Sequence, residues 1–101
     1  MKKIIAGRLY DTDTAKEIGW NGYSNPGDFH YWQETLYQKK TGEYFLFGEG
    51  GPASRYREQI STNGWRDGSV IRPLKEDEAK EWAMENMDAD DYIEHFGPVD
   101  E

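Results

Sequence analysis

The clearest alternation of apolar and polar residues lies mid-chain, where two aromatic-rich segments flank the sequence KKTG at residues 39–42. KKTG can form a type I turn with Gly42 in the left-handed conformation, which closes a three-residue hairpin loop. This turn places Lys39 opposite Glu43. The same register pairs Tyr37 with Phe45, Leu36 with Leu46 and Thr35 with Phe47. Apolar residues then fall on both faces, so we expect this hairpin to be central in its sheet.

Helical periodicity appears in the last quarter of the chain. The segment KEDEAKEWAMENM places four apolar residues on one helical face: Ala79, Trp82, Ala83 and Met87. Asp88 can cap a second helix that ends before Gly97. Three residues of that helix are predicted to face inward: Tyr92, Ile93 and Phe96. Both helices are therefore expected to pack on the sheet, with Trp82 buried between helix and sheet.

The remaining segments carry weaker patterns. Strands are predicted over 2–5, 8–10 and 69–74, and short helices over 14–19 and 54–60. The first short helix depends on Thr14-x-x-Glu17, a capping-box pattern that precedes Gly19 as a stop signal. The glycines of GEGGP, residues 48–52, are expected where a strand ends.

These elements predict an α+β fold. We expect an antiparallel sheet of three or four strands, centred on the hairpin of residues 30–47, with the C-terminal helices packed on one face. A length of 101 residues predicts a single domain, 1–101. Within it we expect an acidic helical quarter at 75–97 and a frayed tail at 98–101.

Charge is distributed unevenly along the chain. Residues 1–74 hold nine acidic and ten basic residues (net +1), whereas residues 75–101 hold eleven acidic residues and two lysines (net −9), which together give −8. Four carboxylates at three- and four-residue spacing form an acidic stripe roughly opposite the Trp82 face: Glu78, Glu81, Glu85 and Asp88. We expect this stripe to face solvent and to suit a basic partner surface, and we expect no direct binding of nucleic acid.

Aromatic residues in and around the glycine-rich loop near residue 25 are the second set of candidate partner contacts. Trp and Tyr are frequent anchors of protein interfaces. The residues predicted for this role are Trp20, Tyr23 and Tyr31. A core role for the same aromatics is the competing interpretation, because the domain has few aliphatic residues.

Candidate chemistry is sparse. The absence of cysteine excludes disulfides, thiolate zinc sites and thiol catalysis. GEGGP lacks the Lys and Ser/Thr of a phosphate-binding loop, and no serine lies in a nucleophile motif. His30 and Glu34 are four residues apart, and His95, Glu94 or Glu49 could add a third ligand. A small metal- or ligand-binding protein or enzyme, using His30, Glu34 and His95, is therefore one alternative. We expect no catalytic residue, metal or cofactor.

The N-terminal sequence MKKIIAG has an apolar run of three residues before Gly7. This run is too short for a signal peptide core or a membrane span. We therefore expect a cytoplasmic protein without membrane association.

Four segments resemble a family of small proteins carried by phages, plasmids and integrated elements of Gram-positive bacteria. These segments are YDTDTAKEIG, ETLYQKKTGEYFLFGEGGP, IRPLKEDEAKEWA and YIEHFG. The chain departs from that pattern at Lys75, where a Ser or Thr helix cap is expected. The resemblance implies a mobile-element origin, and the size and acidity are similar to those of anti-CRISPR inhibitors of Cas9.

From charge and resemblance together we expect a non-enzymatic interaction protein of a mobile element. It would act as an anti-CRISPR-type inhibitor, by binding a basic nucleic-acid-binding surface of a host defence nuclease such as Cas9. A regulatory subunit of a phage or plasmid complex is a further alternative, and the pattern leaves the oligomeric state open.

Overall fold

The computed structural model describes residues 1–101 and confirms the α+β fold. The strands are β1 (Lys2–Ile5), β2 (Arg8–Asp11), β3 (Lys16–Tyr23), β4 (Trp32–Gln38), β5 (Tyr44–Gly50), β6 (Glu58–Ser61), β7 (Gly64–Arg66) and β8 (Gly68–Leu74), followed by α1 (Glu76–Asn86) and α2 (Ala89–Phe96). The main sheet is antiparallel, with strand order β3-β4-β5-β8, and β1-β2 and β6-β7 form separate hairpins. Neither helix has the length and apolar character needed to cross a membrane.

The central hairpin has the predicted register. Tyr37 pairs with Phe45, Leu36 with Leu46 and Thr35 with Phe47. The backbone N–H of Lys39 donates to the carbonyl of Glu43 at 2.8 Å, and Gly42 has φ +95°. Because β4 and β5 are the two inner strands, both faces of the hairpin can be buried, which explains its apolar residues on both sides.

The short helix predicted over 14–19 is wrong, because this segment begins β3. A helix of this length is costly to nucleate, whereas β3 pairs with β4 from Lys16 to Tyr23, with one bulge between Glu17 and Gly19. Gly19 lies against the end of α1: a Cβ there would lie 2.7 Å from the Sδ of Met87, the residue that follows the helix, and the Met87 side chain would have to move. The glycine read as a helix stop therefore makes space for a side chain at the end of a helix packed above the sheet.

The short helix predicted over 54–60 is also wrong. Residues 58–66 form the β6-β7 hairpin, in which Glu58 pairs with Arg66 at 2.7 Å between Oε1 and a guanidinium nitrogen. Ser61 pairs with Gly64, so Thr62 and Asn63 form the two-residue turn between the strands. The GEGGP glycines also lie further into the sheet than expected, since β5 continues to Gly50.

Two buried clusters lie on opposite faces of the main sheet. The cluster under the helices contains Leu36, Tyr44, Leu46, Ala79, Trp82 and Ala83. The cluster on the other face, partly covered by the β1-β2 hairpin, contains Tyr10, Phe45 and Ile71. The predicted buried face of α1 and the burial of Trp82 are therefore confirmed.

In α2 the prediction holds for two of the three residues expected to face inward. Tyr92 and Phe96 pack against the helix-side cluster, whereas Ile93 is 41% exposed. Gly97 ends α2 with φ +95°. Asp88 occupies the N-cap position, but its side chain makes no capping hydrogen bond.

Candidate functional site

A buried carboxylate lies at the centre of the helix-covered face of the sheet. Alternation along β4 places the side chain of Glu34 on the same face as that of Leu36, and Glu34 is only 5% exposed. Its neighbours across the sheet are Asn21 of β3 and Gly48 of β5. An ionised side chain at such a position is costly unless hydrogen bonds and opposite charge compensate it.

Three donors compensate Glu34. The indole N–H of Trp82 in α1 donates to Oε1 at 3.0 Å. The hydroxyl of Tyr56 and the guanidinium of Arg55 both donate to Oε2. No buried side-chain nitrogen or oxygen in the protein lacks a hydrogen-bond partner.

These contacts determine the protonation states. Burial by itself would raise the pKa of Glu34, but the hydrogen bonds from Trp82 and Tyr56 and the charge of Arg55 outweigh burial and hold the pKa below its ordinary value. Burial first, and then the hydrogen bond to Glu34, raise the pKa of Tyr56 to about 12. At neutral pH the site therefore holds a carboxylate beside a neutral phenol.

Gly48 makes room for the phenol. A Cβ at this position would collide with the Tyr56 ring, which lies over β5. The glycine thus has a local purpose: it lets an aromatic side chain from the irregular segment 51–57 lie against the sheet and reach Glu34.

The carboxylate opens into a cleft of about 800 Å³ between the sheet and α1. Its lining combines aromatic rings with polar groups: Asn21, Trp32, Glu34, Arg55, Tyr56, Ser69, Val70, Arg72, Trp82, Glu85 and Asn86. The amide of Asn21 donates to that of Asn86 at 2.7 Å, which joins β3 to the end of α1. The central carbon of the Arg55 guanidinium lies 5.1 Å from the Trp32 ring centroid and 5.3 Å from that of Tyr56.

All four carboxylates of the predicted stripe are solvent-exposed, but Asp88 lies beyond α1 as the N-cap of α2, so the helical stripe consists of Glu78, Glu81 and Glu85. Glu78 also has a structural role, because its carboxylate accepts the backbone N–H of Lys75 at 2.8 Å and caps α1 without a Ser or Thr. The side chains of Glu81 and Glu85 make neither an ion pair nor a hydrogen bond. The one ion pair of α1 joins Lys80 to Glu76. Glu78, Glu81 and Glu85 lie beside Trp82, so the prediction that the stripe lies opposite the Trp82 face is wrong. Since Glu85 also lines the cleft, the stripe ends at the Glu34 site.

The aromatic candidates do not form one surface. Trp20 and Tyr23 are 53% and 55% exposed, but the register puts Trp20 opposite Thr35 and Tyr23 opposite Trp32, so they lie on opposite faces of β3. Tyr31 is only 7% exposed. The prediction of Tyr31 as an exposed anchor is therefore wrong: it is a core residue of the loop that precedes β4.

The predicted metal or ligand set of His30, Glu34 and His95 does not come together. His30 lies at the surface, with Nδ1 3.5 Å from a carboxylate oxygen of Asp28. His95 lies on α2, with Nε2 2.9 Å from the hydroxyl of Tyr44. No group of three or more His, Asp or Glu side chains has a spacing suited to a metal ion. This alternative is wrong in its residues.

Arg55 and Tyr56 were missed at the sequence level. The available signal was Glu34 itself, a carboxylate between Trp32 and Leu36 on the apolar face of an inner strand. That pattern indicates that a hydrogen-bond donor or a cation lies beside the carboxylate, but it cannot identify residues of an irregular segment as the donors. No protein-family model, curated protein or solved structure matches this chain.

Proposed function

We propose that this chain is a non-enzymatic interaction protein that binds a basic surface of a partner protein through the acidic stripe of α1. One observation carries the proposal: Glu81 and Glu85 are exposed, near each other and unpaired. Opposite charge on a partner is the natural complement of such a surface.

The stability of the helix does not account for the stripe. Acidic residues in the first turn, Glu76, Asp77 and Glu78, favour the positive end of the helix dipole. The last turn has no basic residue, and like charges four residues apart, such as Glu81 and Glu85, destabilise a helix by a few tenths of a kcal/mol. The later carboxylates thus have a small local cost, which binding to a basic surface would offset.

The spacing also suits a surface that normally holds nucleic acid. A rise of about 1.5 Å per residue separates Glu78, Glu81 and Glu85 by roughly 4.5 and 6 Å along the axis, comparable with a run of phosphates. Lys and Arg side chains that neutralise phosphates could neutralise these carboxylates instead. Together with the resemblance to small mobile-element proteins, this supports an anti-CRISPR-type inhibitor of a host defence nuclease such as Cas9.

A charge-reversal pair tests the proposal. Glu81→Lys with Glu85→Lys removes two stripe carboxylates, and Asp13→Lys with Asp67→Lys is the matched control, because both aspartates are exposed and outside the stripe. The two double variants change net charge equally. The partner is first isolated from host lysate with the parent protein, and Cas9 is assayed directly by inhibition of guided DNA cleavage.

The expected result is a loss of partner affinity of roughly tenfold or more for the stripe variant, with a reduced dependence on salt. The control variant should stay within about threefold of the parent, as is usual for charges outside an interface. Equal affinities and equal salt slopes for the two double variants would show that the stripe only contacts water.

A further inference from the structure

Arg55 occupies a cation site built by its neighbour Tyr56 and by Glu34 and Trp32 of β4. The Glu34 pocket consists of the carboxylate of Glu34 and the rings of Trp32 and Tyr56. The Arg55 guanidinium pairs with that carboxylate and lies within about 5 Å of both ring centroids, at 5.1 and 5.3 Å. A carboxylate flanked by aromatic faces is a favourable environment for a guanidinium. This planar group can stack on an aromatic ring while its N–H groups donate hydrogen bonds to the carboxylate.

The pocket and its occupant differ in how firmly they are held. Glu34 belongs to an inner strand and is fixed from above by Trp82, and Gly48 leaves the space that the Tyr56 ring fills. Arg55 and Tyr56 come from the same irregular segment, but the side chain of Arg55 is 62% exposed, whereas Tyr56 is half-buried. The only hydrogen bond of the Arg55 side chain is the one to Glu34. The Glu34 carboxylate is therefore held by more contacts than the guanidinium that pairs with it.

We propose that the Glu34 pocket binds an arginine side chain of the partner protein, and that Arg55 is an internal occupant which the incoming arginine displaces. The exchange leaves the Glu34 carboxylate paired in both states, with Trp82 and Tyr56 still donating to it. The cleft of about 800 Å³ around the pocket has room for a second long side chain.

The position of the pocket suits this role. Glu85, which belongs to the acidic stripe, lines the same cleft, so a basic surface that lies along α1 brings its arginines to the pocket. The claim that the arginine comes from a partner protein depends on the proposed function. The affinity of the pocket for a guanidinium does not depend on the proposed function, and it can be measured without any partner protein.

The experiment uses N-acetyl-arginine methylamide as the probe, titrated into the full chain and followed by NMR of the tryptophan indole N–H groups. The chain has four tryptophans: Trp32 and Trp82 lie at the pocket, and Trp20 and Trp65 serve as internal controls. Arg55→Ala is the test variant. Arg57→Ala is the matched control, because Arg57 stacks on Trp65 at 4.1 Å, outside the pocket.

Arg55→Ala should bind the probe with saturable shifts at Trp32 and Trp82. If Arg55 fills the pocket nine-tenths of the time, its removal strengthens apparent affinity about tenfold over the parent. Arg57→Ala should match the parent, and Arg55→Ala with Trp32→Leu should lose the gain. Arg55→Gln, which keeps a neutral donor near Glu34, replaces Arg55→Ala if that variant does not fold.

Two results would overturn the inference: no gain in affinity for Arg55→Ala or Arg55→Gln, or equal binding of N-acetyl-lysine methylamide. The proposed function can fail separately. If the probe binds but the stripe variant keeps its partner affinity, the pocket inference is supported and the proposed role of the stripe is rejected. If the stripe variant loses partner affinity but the probe does not bind, the proposed function is supported and the pocket inference is rejected.

Discussion

The hydrogen bond from Trp82 to Glu34 allows a sharp test of the site, because Trp82→Phe removes the donor and keeps most of the apolar ring. Trp82 is 8% exposed and belongs to the cluster under the helices. The substitution therefore leaves a buried, ionised carboxylate with two of its three donors.

The magnitude follows from two contributions. A hydrogen bond to a charged group contributes roughly 1.5 to 3 kcal/mol. The smaller ring leaves unfilled space that adds on the order of 1 kcal/mol. We expect the free energy of unfolding at neutral pH to fall by roughly 2.5 to 4 kcal/mol, a large part of the 5 to 15 kcal/mol of a typical domain.

The loss should depend on pH, because the indole N–H lowers the pKa of Glu34. A carboxyl group whose pKa is lower in the folded state stabilises the protein above its unfolded pKa, and this contribution disappears as pH falls through the folded pKa. In Trp82→Phe the pKa of Glu34 is lowered less. The difference between parent and variant should therefore be largest near neutral pH and shrink below the ordinary carboxyl value of 4.5.

Urea unfolding followed by far-UV circular dichroism at several pH values measures this difference. Trp20→Phe is the control, since the indole of Trp20 is exposed and donates only to the neutral amide of Gln33 at 3.3 Å. The control should change stability by less than about 0.5 kcal/mol at every pH. A Trp82→Phe loss equal to that of the control, or one that does not change with pH, would refute the assignment of Trp82 as a donor to ionised Glu34.

Two further predictions concern the hairpin turn and the second helix. Gly42→Val should lower the free energy of unfolding by more than about 1 kcal/mol, because φ is +95° there and a β-branched residue is strained in that region; an unchanged urea midpoint would contradict the turn. Burial first, and then the charge of Lys16, lower the pKa of His95, so folding favours the neutral imidazole and stability should fall as pH drops from about 7.5 to 5.5. His95→Gln should make this fall shallower, and an unchanged pH profile of the melting temperature would show that His95 is not its source.

The hairpin could be predicted from sequence because its information is local. KKTG determines the turn, the turn determines the register, and the register places Tyr37 and Leu36 on opposite faces. The helical face of Ala79, Trp82 and Ala83 is local in the same sense. In these segments turn chemistry, periodicity and burial agree, which is the condition under which a sequence specifies its structure most strongly.

β3 could not be predicted in this way because its local signals oppose its structure. Thr14-x-x-Glu17 followed by Gly19 is a good helix pattern over a few residues. The strand is preferred because β4 offers a long partner and because Gly19 lies beneath Met87, which follows α1 much later in the chain. Pairing and packing over such distances outweigh short-range propensity.

The Glu34 pocket was hidden for the same reason, and its construction bears on how a buried charge can belong to a binding surface. Removing the only ionic partner of a buried carboxylate costs several kcal/mol, because the remaining charge is uncompensated. Exchange of Arg55 for another guanidinium avoids that cost, since Glu34 is paired before and after. A partner lysine would gain less, because an ammonium keeps more of its hydration and does not stack on Trp32 as a planar group does. A surface built in this way would discriminate by the shape of the cation, whereas the exposed carboxylates of Glu81 and Glu85 would respond to charge alone. Stripe and pocket together would therefore select a basic surface with an arginine at one end of it.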